Sequence, residues 1–148
     1  MPTVDKVLKE KGTEVASIGR EQSALEAARE MNIKRIGSLV VVEAGKVVGI
    51  ITERDILRRL VAKERDPSKT TVSEIMSTPV ACCRTDTKLE ECRGVMTDKR
   101  IRHLPVVEDG RLRGIITSGD ILAQEINEHK GTIEYLHEYL YSPQAPHG

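Results

Sequence analysis

The chain has 148 residues, with 23 basic and 23 acidic side chains and a formal net charge of zero. A chain of this length can bury a core of its own and is expected to form one ordinary domain. The balanced charge argues against nucleic-acid-binding and membrane-binding surfaces, which normally need a basic excess, and no run of 18 apolar residues predicts a membrane span.

The chain begins with MPTVDKVLKEKG, which carries no apolar core of a secretory leader. Its cysteines, Cys82, Cys83 and Cys92, are odd in number and lack a paired Cys-x-x-Cys spacing. This pattern favours reduced, mostly buried thiols over a disulfide framework. Together these features predict a cytoplasmic protein.

An internal repeat organises the sequence. A gapless shift of 65 places residues 15–57 on 80–122, and 19 of these 43 positions are identical. Composition alone would give roughly two or three matches. The segment TVDKVL (3–8) also matches TVSEIM (71–76), at a different offset. Two copies are too few for a solenoid and predict one compact pair related by approximate two-fold symmetry.

Each copy is predicted to fold as β-α-β-β-α. EVASI and PVACC are predicted as short strands, each followed by a helix with apolar residues at helical spacing. SLVVVE and LPVVED have the length of buried strands and lead through tight turns into VVGIIT and LRGIIT. ERDILRRLVAK and SGDILAQEINEH are predicted to close the copies as helices.

Each closing helix is preceded by Thr-x-x-Asp: Thr52 with Asp55, and Thr117 with Asp120. This spacing is typical of a capping box, which needs no ligand. A ligand site stays open beside the cap, because a Gly precedes each strand end and helix N-termini attract anions. A carboxylate at such a place is also a good partner for ribose hydroxyls.

Two such copies, each containing Gly-hydrophobic-hydrophobic-Thr-x-x-Asp, resemble a tandem pair of CBS domains, also called a Bateman module. RIRHLPVVEDGRLRGIITSGDIL (100–122) is close to the family pattern, and the resemblance covers residues 3–127. It implies an α/β (α+β) fold of two pseudo-symmetric CBS repeats in one compact module. The expected division is an N-terminal helix and lead-in at 1–14, repeat 1 at 15–65, a linker and lead-in helix at 66–79, repeat 2 at 80–128, and a C-terminal helix with a disordered tail at 129–148.

The resemblance further implies two symmetry-related sites for adenosine-containing ligands between the repeats: AMP, ADP, ATP, NAD or S-adenosylmethionine. Asp55 and Asp120 would hold ribose hydroxyls, with Thr52 and Thr117 beside them. The adenine would lie among aliphatic side chains, namely Ile50, Ile115, Ala16 and Ala81.

The two copies differ where phosphate would bind. Arg102 and His103 precede LPVV in the second copy, whereas Ser38 stands at the position of His103 in the first. The first site would depend on Arg54, so Asp120 is expected to mark the stronger site. Two repeated basic pairs are expected to be surface residues at helix ends: Lys34 with Arg35, and Lys99 with Arg100.

The sequence thus predicts a non-catalytic regulatory module that binds AMP or NAD, senses energy or redox state, and signals occupancy to a partner protein. No nucleophile pairing, metal-ligand spacing or phosphate loop points to an enzyme or a metal centre. The apolar face of TIEYLHEYLY, near the C-terminus, can pack on its own module or on a second chain. Because CBS pairs commonly dimerise, the resemblance favours a homodimer. The alternatives are a structural dimerisation protein whose Thr-x-x-Asp pairs are only caps, and a single-stranded nucleic-acid binder, which the missing basic excess and aromatic platforms disfavour.

Overall fold

The computed structural model describes residues 2–128, so the predicted C-terminal helix and tail at 129–148 lie outside the described residues. Within this range the first copy shows the predicted order of strands and helices, the second copy shows it without its first strand, and each copy is preceded by a lead-in helix. The elements are α1 (Val4–Lys11), β1 (Ser17–Gly19), α2 (Ala24–Lys34), β2 (Ser38–Glu43), β3 (Lys46–Thr52), α3 (Glu53–Asp55) continuing as a π-helical segment (Ile56–Val61), α4 (Val72–Ile75), α5 (Leu89–Lys99), β4 (His103–Glu108), β5 (Arg111–Thr117) and α6 (Ser118–Glu128).

The hairpins of the two copies match closely. β2 pairs antiparallel with β3, and β4 with β5. Each ladder shifts register at the same place, between Val41 and Val42 in one copy and between Val106 and Val107 in the other. The predicted tight turns are confirmed, because both central residues of each turn have positive φ, as two-residue hairpin turns require.

The first strand of the second copy was predicted wrongly. In the first copy β1 pairs parallel with β2, and the Val40 amide donates to the Ala16 carbonyl oxygen. Pro105 takes the place of Val40 in the second copy and has no N–H to donate. PVACC therefore keeps only an isolated parallel bridge, between Cys83 and Val106, and the second sheet has two strands.

The apolar faces predicted for α2 and α5 are buried. Ala24, Ala27 and Met31 pack into one core, while the corresponding residues of α5 pack into another. Each helix ends at an arginine with left-handed backbone, Arg35 at φ 55° and Arg100 at φ 56°. The two cores therefore repeat the same helix-on-hairpin packing, as the internal symmetry predicts.

The lead-in helices are exchanged between the copies. Val4, Val7 and Leu8 of α1 belong to the core of the second copy, whereas Val72 and Ile75 of α4 belong to the core of the first. Backbone hydrogen bonds hold each lead-in helix on the other repeat. The Leu89 amide donates to the carbonyl oxygen of Pro2 at 3.0 Å, and the Ala24 amide donates to that of Thr70 at 2.7 Å. Each repeat is thus completed by a helix that precedes the other repeat in the chain.

Candidate functional site

A cavity of about 980 Å³ lies between the two repeats, where β3 and β5 contact each other. Its apolar wall includes Ile50 from the first repeat and Val80 and Ala81 from the second. Its polar wall includes Thr52 and Asp55 at the start of α3, and Thr117 and Ser118 at the equivalent place of the second repeat. The repeat equivalence thus brings both strand ends to the same opening.

Asp55 is buried in this wall, with 5% of its surface exposed. Its Oδ2 accepts a hydrogen bond from the Thr52 amide at 3.0 Å, while its own amide donates to Thr52 Oγ1 at 3.3 Å. The two residues therefore form the predicted capping box. Oδ1 accepts a bond from the Ser77 hydroxyl at 2.8 Å, so the carboxylate is held on both oxygens.

Arg59 links the Thr52–Asp55 cap to the end of the lead-in helix α4. Its Nε lies 3.8 Å from Asp55 Oδ1, and its Nη1 donates to the Met76 carbonyl oxygen at 2.8 Å. The strand residue Ile50 forms a bridge with Ser77 beside it. The residues after α4 therefore cover the edge of β3 and hold Asp55 in place. Neither Ser77 nor Arg59 was among the predicted site residues, because both depend on the packing of α4 onto the first repeat.

The cavity is strongly basic although the whole chain is neutral. Six basic side chains line it against two carboxylates, those of Glu53 and Asp55. The basic residues come from both repeats: Arg54, Arg58, Arg59, Lys99, Arg100 and Arg102. The prediction that Lys99 and Arg100 are surface residues at a helix end is confirmed, and both also line this opening. The reason is that α5 ends at the boundary between the repeats.

A contact between the repeats crosses the cavity rim. Arg54 Nη1 donates to the carbonyl oxygen of Arg100 at 3.1 Å. That carbonyl is at the end of α5, where helix carbonyls lack partners within the helix. The arginine predicted to serve the first site is therefore also a direct link to the second repeat.

Arg102 and His103 lie on the same cavity as Asp55. The prediction grouped them with Asp120, and His103 does pair with Thr117, the capping partner of Asp120. His103 Cε1 also comes within 3.7 Å of the position that a Cβ on Gly37 of the first repeat would take, so the start of β4 lies beside both caps and the grouping with Asp120 stays a prediction. Burial lowers the pKa of His103 from its usual 6.5, and the charge of nearby Glu53 opposes this shift. The imidazole is therefore mainly neutral at neutral pH.

Asp120 is built into a similar cap but has a different environment. Its Oδ2 accepts from the Thr117 amide at 2.8 Å, and its amide donates to Thr117 Oγ1 at 3.1 Å. The same oxygen accepts a 2.7 Å bond from the ammonium group of Lys11, at the end of α1. Asp120 is not among the residues that line the 980 Å³ cavity.

Three other predicted site residues do not line this cavity either. Ser38 is buried in β2 opposite Thr52, Ala16 packs against the first core, and Ile115 pairs with Pro105 within the second hairpin. Ser38 and Ile115 lie on strands as predicted, whereas Ala16 comes just before β1, which begins at Ser17. Their roles toward a ligand stay predictions.

The prediction of mostly buried thiols is confirmed. Cys83 and Cys92 are buried in the second core, whereas Cys82 is exposed. A hydrogen bond with Cys92 and burial both raise the pKa of Cys83. Residues 2–128 contain no group of three side chains suited to hold a metal ion. In the same range no helix has the length and apolar character needed to cross a membrane.

The chain is similar to known proteins over most of its length. The CBS domain model matches it twice, at residues 11–62 and 72–126. YhcV of Bacillus subtilis, a CBS domain-containing protein, is 37% identical over 121 residues, which are 81% of this chain and 86% of the relative. Among solved structures, a protein with CBS domains from Burkholderia ambifaria is 36% identical with a TM-score of 0.83, over 86% of this chain and 96% of that one.

A third relative has been solved with ligands. The CBS domain pair of the protein MJ0100, in complex with 5′-methylthioadenosine and S-adenosyl-L-methionine, is 30% identical with a TM-score of 0.75. The similarity covers 86% of this chain and 98% of that one. The two matched segments, the hairpin repeats and the cavity between them lead to one assignment. The chain belongs to the CBS-domain family, as a CBS-domain pair.

Proposed function

We propose that this chain is a non-catalytic regulatory module that binds an adenine nucleotide, AMP or NAD foremost, and passes its occupancy to a partner protein. The observation that carries the proposal is the cavity between the repeats, where a buried carboxylate, an aliphatic wall and a basic rim face one space. The adenosine ligands of the MJ0100 pair support the same ligand class.

Each part of a nucleotide has a matching part of the wall. The base would lie between Ile50 and the Val80 and Ala81 pair. The ribose hydroxyls would donate to Asp55, whose Oδ1 has lone-pair capacity beyond the single Ser77 bond. The phosphates would face Arg102 at the rim. Sequence reasoning favoured Asp120, but the cavity and its charges favour Asp55.

The charge of the cavity supports phosphate-bearing ligands. Six basic side chains against two acidic ones attract AMP, ADP, ATP and NAD, all of which are anions. S-adenosylmethionine carries a sulfonium cation, so the same charges disfavour it. The proposed module therefore differs in selectivity from a pair that binds S-adenosylmethionine.

The signal would arise from contacts that one ligand makes with both repeats. A ligand can shift a conformational equilibrium only by its difference in affinity for the two states. Asp55 belongs to the first repeat and Arg102 to the second, and Arg54 already links the two through Arg100. A nucleotide bound to both sides would favour one relative arrangement of the repeats, which a partner protein could read.

The experiment is a thermal-shift screen with AMP, ADP, ATP, NAD and S-adenosylmethionine on the wild-type protein and on Asp55→Ala and Asp120→Ala. A ligand at 100 times its dissociation constant adds about 2.7 kcal/mol of stability. We expect a rise in melting temperature with an anionic nucleotide, lost in Asp55→Ala and kept in Asp120→Ala. Both variants lose a cap, so the difference between them reports the ligand. No rise with any nucleotide, in protein freed of carried-over ligand, contradicts the proposal.

We also propose a homodimer, supported by apolar side chains on the closing helices. Leu57 is 61% exposed and Val61 is 60% exposed on the π-helical segment, and Leu122, the repeat equivalent of Leu57, is 54% exposed on α6. Light scattering coupled to size-exclusion chromatography measures the mass directly. A dimer without any nucleotide response would instead favour the structural dimerisation function. A cytoplasmic location stays a prediction, which rests on the cysteine pattern.

A further inference from the structure

The cleft between the repeats has two halves, one built on Asp55 and the other on Asp120. The ion pair between Lys11 and Asp120 distinguishes these two halves. Lys11 Nζ lies 2.7 Å from Asp120 Oδ2, and the two side chains are 31% and 18% exposed. At the equivalent place of the first repeat, Asp55 accepts from the neutral hydroxyl of Ser77 at 2.8 Å. One aspartate thus faces a cavity, whereas the other is paired with an ammonium group from the same chain.

The difference follows from the length of the lead-in segments. Residues 3–8 match residues 71–76, but six residues separate the first match from repeat 1 and only three separate the second from repeat 2. The longer segment lets α1 run for eight residues, while α4 has four. Because the helices are exchanged, the additional turn of α1 lies over the second repeat and ends there with Lys11.

Two more contacts fix α1 in this position. Leu8 packs against Gly114 so closely that a Cβ on the glycine would be 2.7 Å from Leu8 Cδ2. Glu10 accepts a 2.8 Å hydrogen bond from Gln124, a buried polar side chain of α6. Lys11 is therefore held over Asp120 by packing on one side and by hydrogen bonding on the other.

We propose that Lys11 closes the Asp120 half of the cleft, so that each chain binds one nucleotide, in the half built on Asp55. The proposal rests on the nucleotide-binding function proposed above. Both aspartates accept charge-assisted hydrogen bonds, but the bond from Lys11 joins two opposite charges and adds a Coulombic attraction that a hydroxyl does not supply. A ribose hydroxyl is neutral and would compete with the Lys11 ammonium for Asp120. At Asp55 its nearest competitor is the neutral Ser77 hydroxyl at 2.8 Å, and the charged Arg59 Nε lies farther away, at 3.8 Å.

Titration calorimetry with AMP and with ATP tests the proposal by counting ligands per chain. The variants are Lys11→Ala, Lys11→Arg, Asp55→Ala and the double variant with Lys11→Ala and Asp55→Ala. Lys9→Ala is the matched control, because Lys9 is an exposed lysine on the same helix that pairs with Asp5. We expect one nucleotide per wild-type chain, none in Asp55→Ala, two in Lys11→Ala and one in the double variant. Lys11→Arg and Lys9→Ala are expected to keep one.

The outcomes separate this inference from the proposed function. One nucleotide in both the wild type and Lys11→Ala leaves the proposed function standing and overturns the closure by Lys11. Two nucleotides bound per wild-type chain also overturn the closure by Lys11. If the Lys11→Ala chain then binds only one, Lys11 is a ligand contact instead. Binding only after Lys11→Ala supports the closure and contradicts binding at Asp55. No binding by any variant overturns both.

Discussion

The Ser77 hydroxyl donates a 2.8 Å hydrogen bond to Oδ1 of Asp55, although the two residues are 22 positions apart. Ser77 follows the lead-in helix of the second repeat, and Asp55 caps the closing helix of the first. The bond therefore joins the exchanged helix to the candidate ligand carboxylate. Its loss should affect the first repeat more than the second.

Ser77→Ala is expected to lower the free energy of unfolding by about 1.5–3 kcal/mol, the usual contribution of a hydrogen bond to a charged group. Asp55 keeps its bonds with Thr52, so the cap survives. Urea denaturation measures the change. Ser118→Ala is the control, since Ser118 is an exposed hydroxyl on the same cavity. Equal destabilisation by both substitutions would contradict a specific role for Ser77.

Arg102→Ala is expected to weaken nucleotide binding by up to about fivefold, because an exposed charge pair contributes about 1 kcal/mol or less. The loss should be larger for ATP than for AMP and should shrink at high salt. Calorimetric titration at two salt concentrations checks this. Arg111→Ala is the control, because Arg111 is an exposed arginine of the same repeat that does not line the cavity. A loss that is independent of salt would contradict an electrostatic role.

The pH dependence of stability should report His103. Burial lowers its pKa below 6.5, so between the two pKa values the unfolded chain binds more protons than the folded one. The free energy of unfolding therefore keeps this contribution above about pH 6.5 and loses it as pH falls through that value toward the folded pKa. Urea denaturation near pH 7.5 and near pH 5.5 measures the loss. It should be smaller in His103→Gln, and equal losses in both proteins would contradict the assignment.

Gly114→Ala should destabilise the chain by about 1–3 kcal/mol, the usual cost of overpacking. The added methyl would meet Leu8 Cδ2 at 2.7 Å. Leu8→Ala in the same chain should relieve the clash, so the double variant should lose less than the two single losses together. Gly94→Ala adds a methyl where nothing lies within 4 Å and should stabilise α5 by up to about 1 kcal/mol. Strict additivity at Gly114 and Leu8 would contradict the close packing.

Sequence reasoning predicted most of the fold because the two copies check each other. The hairpins of both copies share Gly at the turn and apolar residues along the strands. The absence of a strand at PVACC could also have been predicted from the sequence. Pro105 lacks the N–H group with which Val40 donates to the Ala16 carbonyl oxygen. The π-helical segment was not, because the same helix pattern in the second copy gives a regular α-helix.

The candidate site was harder to predict because it joins residues that are distant in sequence. Thr52 and Asp55 are three positions apart, and their spacing alone predicted the cap. Arg54 and Arg100 are 46 positions apart, and Lys11 and Asp120 are 109 apart. Such contacts depend on how the repeats pack and on which repeat each lead-in helix joins. The apolar periodicity of a single helix or strand predicts neither the packing of the repeats nor the placement of the lead-in helices.

Because α1 and α4 are exchanged, the two sequence repeats are not two independent folding units. A cut in the linker would leave a C-terminal fragment without Val4, Val7 and Leu8, and an N-terminal fragment without Val72 and Ile75. Neither fragment would hold a complete core, but the two mixed together could restore both. The two repeats thus depend on each other for a complete core. A force applied to the N-terminus would act first on the second repeat, because α1 packs there.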